Sequence, residues 1–255
     1  MTYSQLFERL RLRRLEPMSK KQFYMYIKSI GGLYADLDSE LELLKGCGAP
    51  LDIEVRNDGM YFSLNTFKKL WRESDLVFVD IETNGSKPKS SDIIEIGAIK
   101  TRNGEIIESF ESFVYAACVP EVISNLTGIT SKDIAHAPKK KEVLAKFRTF
   151  LGDSVFVAHN VNFDYNFLDI HLRKCGMFGL LNPKLCTIEL AQRTIPARRY
   201  GLSYLNDFLG IHTPVSHRAY ADALTSFEIF KIAMLMFPFC VVSVQDLIDF
   251  SKHRL

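Results

Sequence analysis

The chain has 255 residues, 47% hydrophobic and 24% charged, an ordinary globular balance and long enough to bury a core without covalent or metal staples. Five scattered cysteines (Cys47, Cys118, Cys175, Cys186, Cys240) form no C-x-x-C pair, which argues for reduced thiols and against a zinc site. The basic N-terminus is not followed by a signal-peptide core, and the longest apolar run, 232–242, is interrupted by Pro238 and too short to span a bilayer, so a cytoplasmic chain with no membrane partner is expected.

The net charge of +2 conceals a local asymmetry: residues 1–30 hold seven basic and two acidic side chains, residues 34–60 seven acidic and two basic. The first part of the chain reads as three short helices and a hairpin. Leu6, Phe7 and Leu10 share one helical face; Phe23, Ile27 and Ile30 share another, ended by Gly31-Gly32; Leu41, Leu43 and Leu44 belong to a third, stopped by Gly46 and Gly48. LDIEV and MYFSL then flank Asn57-Asp58-Gly59, a hairpin turn. That order predicts a small α+β, winged-helix-like domain over residues 1–70.

After Asp75 the pattern becomes α/β. LVFVDIE, DIIEIGAIKT and GEIIESFESFV read as an antiparallel meander turned by Asn103-Gly104. A helix over 140–151, the buried strand SVFVAHN, a helix over 162–174, a short helix over 202–209 and a longer one over 219–236 follow. Such an order predicts a mixed sheet with helices on both faces over residues 75–237, then a tail over 238–255.

Three segments carry carboxylates to the ends of these elements. In LVFVDIE the strand period of two projects Asp80 and Glu82 from one face, where two adjacent carboxylates call for a cation between them. In VAHNVNFDYNFL, Asp164 falls in the first turn of a helix, where the helix dipole favours an anion. Acidic residues are common there, so Asp164 alone assigns nothing. In HRAYADA, Asp222 enters the last long helix with His217 on the preceding loop, and the alanines let that helix lie close to the sheet.

Together VFVDIETNG, AHNVNFDYNFL and HRAYADA, in that order, resemble the three motifs of the DEDDh 3′–5′ exonucleases, the family of the epsilon proofreading subunit of bacterial DNA polymerase III. His217 stands five residues before Asp222, as the histidine subclass requires, whereas the tyrosine subclass would need a tyrosine where Arg218 stands. The resemblance implies an RNase H-like fold and release of nucleoside 5′-monophosphates from the 3′ end of single-stranded or mismatched DNA. It implies two Mg²⁺ or Mn²⁺ ions held by Asp80, Glu82, Asp164 and Asp222. His217, of a residue type that titrates near neutrality, would act as general base. It also puts Thr83 near the 3′-terminal nucleotide, and His159 and Phe163 near the terminal base or the scissile phosphate, although loop and core packing explain these three as well.

Lys87, Lys89, Arg198, Arg199 and Arg218 could contact phosphates. Lys139–Lys141 reads as a solvated helix face, and Glu95 as a structural carboxylate at a sheet edge. An RNA 3′ exonuclease of the same superfamily is the alternative, since no motif reads the sugar. A non-catalytic binding module is disfavoured by the presence of all four carboxylates and the histidine. The nuclease is not N-terminal here, unlike in the enterobacterial epsilon subunit, which leaves a replicative polymerase partner less secure than the chemistry. Gln245–Phe250 loosely matches the Q-x-x-L-x-F peptide of sliding-clamp partners. The competing expectation is an amphipathic helix capped by Ser243 that packs Val244, Leu247 and Ile248 onto the nuclease.

Overall fold

The computed structural model describes residues 1–32, 36–213 and 217–253. Its N-terminal part runs α1 (Tyr3–Leu12), β1 (Met18–Ser19), α2 (Lys20–Ile30), α3 (Leu37–Gly46), β2 (Leu51–Arg56) and β3 (Gly59–Leu64). Thr2 and Gln5 form a reciprocal capping box on α1, and α2 ends at Gly31, whose φ of 82° is a left-handed conformation that suits glycine. The hairpin pairs Arg56 with Gly59 across Asn57-Asp58. Strand β1 was not expected: two residues after Pro17 carry no periodicity, yet Met18 and Ser19 pair with Phe62 and Tyr61, giving a sheet of order β1-β3-β2. The apolar faces meet in one core, where Phe23 stacks on Phe62 with ring centroids 4.0 Å apart.

The remainder runs β4 (Leu76–Thr83), β5 (Ile93–Arg102), β6 (Glu105–Phe113), α4 (Glu121–Thr127), α5 (Ser131–Ile134), α6 (Lys140–Leu151), β7 (Val155–Ala158), α7 (Val161–Lys174), β8 (Lys184–Cys186), α8 (Thr187–Thr194), α9 (Leu202–Phe208), α10 (Ala219–Ala233) and α11 (Val244–Ser251). The sheet has the order β6-β5-β4-β7-β8, with β4 antiparallel to β5 and parallel to β7, and β7 parallel to β8. The alternation of β4 divides two cores. Val77, Val79 and Ile81 pack with α6 and α7; Leu76 and Phe78 pack with α10 and α11. This is the mixed, RNase H-like sheet with helices on both faces that the strand order predicts. Strand β8 and helices α4, α5 and α8 are additions. A three-residue edge strand has too few positions to show alternation, and two of the four residues that α8 buries are threonines, Thr187 and Thr194.

The C-terminal segment is a packing helix. Ser243 and Asp246 form a capping box, and Val244, Leu247, Ile248 and Phe250 join the core beneath α10. Gln245 is buried and accepts a 2.8 Å hydrogen bond from Thr66; Phe250 is buried against Phe237. Neither side chain is presented to solvent as a clamp peptide requires, so the geometry favours the packing alternative. The last two residues of the predicted tail lie outside the described residues.

The N-terminal part is tied to this helix and to the five-stranded part of the chain. Trp71 is buried among Phe230 and Phe237 and donates its indole N–H to the Val241 carbonyl at 3.0 Å. Leu70 bridges Ser243, the Leu181 N–H bonds the Cys47 carbonyl at 2.9 Å, and Arg11 and Arg14 face Asp249 and Asp246. Among the described residues no helix is long and apolar enough to cross a membrane.

Candidate active site

The functional side chains gather where β4 runs out of the sheet. Strand β7 pairs with β4 only as far as Phe78, and the register of β4 against β5 shifts between Glu82 and Thr83. Up to Phe78 this face of β4 is sealed by α10. Beyond it, the same face carries Asp80 and Glu82, both half-buried. Asp222, in the first turn of α10, reaches them from above: one carboxylate oxygen from each of Asp80, Glu82 and Asp222 lies within 4.8 Å of the others.

Asp164 lies outside this trio, but its charge acts on Asp80. Its position in the first turn of α7 follows from Asn160, which takes the left-handed conformation asparagine tolerates (φ 72°) and turns the chain from β7 into the helix. The buried Asp164 Oδ1 accepts the Ile81 N–H at 3.2 Å, completing the edge of β4 that β7 leaves unpaired. His217 lies on the approach to α10, with φ 65° and an exposed side chain; its backbone N–H donates to Asp222 Oδ2 at 3.1 Å.

Burial and mutual repulsion push these carboxyls away from the ordinary carboxylate range. Asp80 is raised well above it by desolvation and then by Asp164, Asp222 and Glu82. Desolvation and the charges of Asp222 and Glu95 push Glu82 up to about 8, against a lowering influence of Arg218. Asp164 is pushed up to about 8 by desolvation, opposed by its backbone hydrogen bonds. Asp222 is raised by desolvation, opposed by the His217 N–H. Among the described residues, Asp80 and Glu82 have no hydrogen-bond or ion-pair partner. Oxygen-only donors, crowded together with Asp80 and Glu82 unanswered, fit a hard divalent cation, which would favour their ionised forms.

Of the neighbours, Thr83 is buried and donates its hydroxyl to the Gly85 carbonyl at 2.9 Å, shaping the turn after the acidic pair. Phe163 stays at the surface, its ring 5.2 Å from that of Phe167. For His159 the contacts are those of the packing alternative. Its Nδ1 lies 2.8 Å from Thr187 Oγ1 and its Nε2 2.8 Å from the Tyr200 carbonyl, so both ring nitrogens are already engaged. Desolvation lowers its pKa to about 4. His159 therefore braces the loop 195–201, which carries Arg198 and Arg199, against β7 and α8.

Glu95 departs from expectation: it lies not at an edge but on β5, between β4 and β6, where it is buried and bonded by Arg218. Arg218, expected among the phosphate contacts, spends its Nε and Nη2 on Glu95. Their one sequence signal was a glutamate two residues before a glycine inside an apolar strand. Lys174 bonds the carbonyls of Pro88 and Lys89 and Lys140 pairs with Asp92, so the middle and the far end of the loop after β4 are held.

Residues 77–230 match the model of the RNase_T family, described as exonuclease. The chain is similar to the PolC-type DNA polymerase III of Clostridium perfringens, 40% identical over 181 residues that cover 70% of this chain and 12% of that protein. The PolC-type DNA polymerase III of Bacillus cereus is 36% identical over 174 residues, 68% of this chain and 12% of that one. The match thus spans only about an eighth of these curated relatives. In fold the chain resembles Escherichia coli exonuclease I solved with a dA16 oligonucleotide (TM-score 0.59, 17% identity, 65% of this chain and 42% of that one). A zinc-bound form of that enzyme with single-stranded DNA is similar to the same degree (TM-score 0.60, 18% identity, 66% of this chain and 42% of that one).

Proposed function

Because this chain belongs to the RNase_T exonuclease family through residues 77–230, we propose that it removes nucleotides one at a time from the 3′ end of single-stranded or frayed DNA. The observation that carries the reading is the convergence of Asp80, Glu82 and Asp222 at the open end of β4. Asp80, Glu82 and Asp222 would hold Mg²⁺ or Mn²⁺ directly, with Asp164, whose charge already acts on Asp80, joining the site directly or through a bound water. Such a cation supplies Lewis-acid chemistry, making a water nucleophilic near neutral pH and neutralising charge at the scissile phosphate. A ring nitrogen of His217 takes the proton from the attacking water. Its backbone is held to Asp222, which keeps the imidazole beside the carboxylates while leaving it at the surface. The exposed Phe163 ring offers a face for the terminal base, and Arg198 and Arg199, braced through His159, offer charge to the backbone.

The PolC-type relatives support DNA over RNA and a role beside a replicative polymerase in proofreading. We read residues 1–70 as a separate winged-helix-like unit, consistent with the order helix–strand–helix–helix–strand–strand, used for docking. The deciding experiment degrades matched DNA and RNA single strands, labelled at either end, with Mg²⁺, Mn²⁺ or chelator. Mononucleotides released from the 3′ end of DNA, only with metal, are expected. Faster loss of RNA would transfer the reading to the RNA alternative, and internal cleavage of circular strands would end it.

A further inference from the structure

Glu95 faces Glu82 directly across the β4–β5 pair, a juxtaposition of like charges that destabilises a sheet unless something intervenes. What intervenes is Arg218. Its Nη2 donates to Glu95 Oε1 at 2.7 Å and its Nε to Oε1 and Oε2 at 3.1 and 3.3 Å. The same guanidinium lies 3.8 Å from Glu111 and 5.4 Å from the centre of the Phe113 ring, so it is fastened to both β5 and β6.

Glu95 has a second task. Helix α10 begins without a side-chain cap of its own, because its N-cap residue is Arg218. Glu95 Oε2 accepts the Ala219 N–H at 3.0 Å, satisfying an orphan donor of that helix from a different strand. Two residues along β5, Gly97 receives the helix backbone itself. A Cβ at Gly97 would stand 2.1 Å from the Tyr220 nitrogen and 2.2 Å from the Ala219 carbonyl carbon, so only glycine fits there. Glu95 and Gly97 project from the same side of β5, and α10 is seated on them by one charge and one missing side chain.

We propose that Glu95, Arg218 and Gly97 are positioning residues that set Asp222 and His217 for the divalent cation before any substrate arrives. The proposal rests on the exonuclease reading for the role of that cation. The seat fixes residues 218–220; three residues on, His217 N–H and Asp222 Oδ2 close a ring of backbone and side chain that aims the carboxylate at Asp80 and Glu82. A shift of the helix start by roughly an ångström, as a methyl group at Gly97 demands, moves Asp222 with it while leaving every ligand chemically intact. Arg218 is then a strut, with its charge already consumed, and not a clamp on the phosphate backbone.

Two readouts separate this from a stability role and from a phosphate role. Mn²⁺ binding is titrated by electron paramagnetic resonance without substrate, on the wild-type chain and on Gly97→Ala, Glu95→Gln, Glu95→Ala and Arg218→Ala. Turnover and KM on a single-stranded oligonucleotide are then measured. Gly97→Ala, Glu95→Ala and Arg218→Ala are each expected to weaken Mn²⁺ binding about tenfold or more, the usual effect of losing a group that orients a metal ligand. kcat should fall with it, while KM for the oligonucleotide stays within about twofold. Glu95→Gln, which keeps an acceptor for Ala219, should lie between, and it carries the test if Glu95→Ala does not fold. Glu95→Ala combined with Arg218→Ala should be no worse than either alone. If Arg218→Ala raises KM and spares Mn²⁺ binding, Arg218 is a phosphate contact and the proposal fails. It fails equally if Glu95→Gln and Gly97→Ala lower only the melting temperature. A wild-type chain that binds Mn²⁺ but releases no nucleotide would overturn the function while leaving the seat intact.

Discussion

The N-terminal three-stranded unit and the open end of β4 treat buried charge in opposite ways. In the former, the buried carboxylate Glu40 is met by the Tyr3 hydroxyl, and the rest of the core is apolar. At the end of β4, Asp80 and Glu82 are brought against Asp222 with no donor from the described protein, and burial and repulsion raise their pKa values together. The first arrangement favours stability; the second gives some of it up, and on the proposed function what it gains is a place for a cation. An unanswered carboxylate cluster inside an otherwise well-satisfied fold therefore marks function more surely than any single acidic residue.

The largest effect that tests this contrast is on rate. Asp80→Asn should lower metal-dependent hydrolysis by on the order of 10³ or more, because it removes a ligand and not packing. In chelator its melting temperature should be no lower than that of the wild type, since a repelled charge has been deleted. A clear loss of stability would make Asp80 structural. Phe62→Ala is the mirror case. It empties the stacked centre of the N-terminal core and should cost about 3–5 kcal/mol in denaturant unfolding, yet the molecules still folded should turn over at the wild-type rate. A fall in kcat per folded molecule would break the separation.

A smaller effect concerns pH. His171 is buried and stacked on Phe167, where its ring is shut off from water. Desolvation, aided by Lys140 and Lys174 and opposed by Asp92, lowers its pKa to about 4 from 6.5. A depressed folded pKa contributes stability that is present above the unfolded value and lost as pH falls, here between 6.5 and about 4. His171→Leu should flatten that acid limb by about 3 kcal/mol, leaving the part due to His159, shifted the same way. An unchanged slope would show that His171 does not carry it. Smallest is the seam between the two regions. Thr66→Val leaves the buried Gln245 acceptor unmet and should cost about 1 kcal/mol without touching turnover.

The carboxylates were legible because strand geometry translates spacing into side: residues 80 and 82 had to share a face wherever the strand lay. Helix α6 and the reach of α10 with its following 3₁₀ turn also follow from apolar periodicity and agree with the expected limits. The failures have a common physical source. The two residues of β1 and three of β8 are strands only because a neighbour pairs with them, and no local pattern announces that. His159 and Glu95 carry polar groups whose partners, Tyr200 and Arg218, lie far along the chain, so their tasks depend on tertiary contacts. The tail showed both a peptide-like motif and an amphipathic helix in the same letters. The choice between them came from burial of Gln245 and Phe250.

The chain's one tryptophan has an optical consequence. Trp71 sits where the N-terminal unit, α10 and the C-terminal segment meet, its indole nitrogen bonded to Val241 and its ring lined by Phe230, Phe237 and Arg72. Its fluorescence should be blue-shifted in the native state and should move to the red as soon as this junction loosens. No label is needed to follow the event. Emission that changes before hydrolysis is lost would reveal a molecule whose parts have come undocked while the catalytic sheet remains assembled.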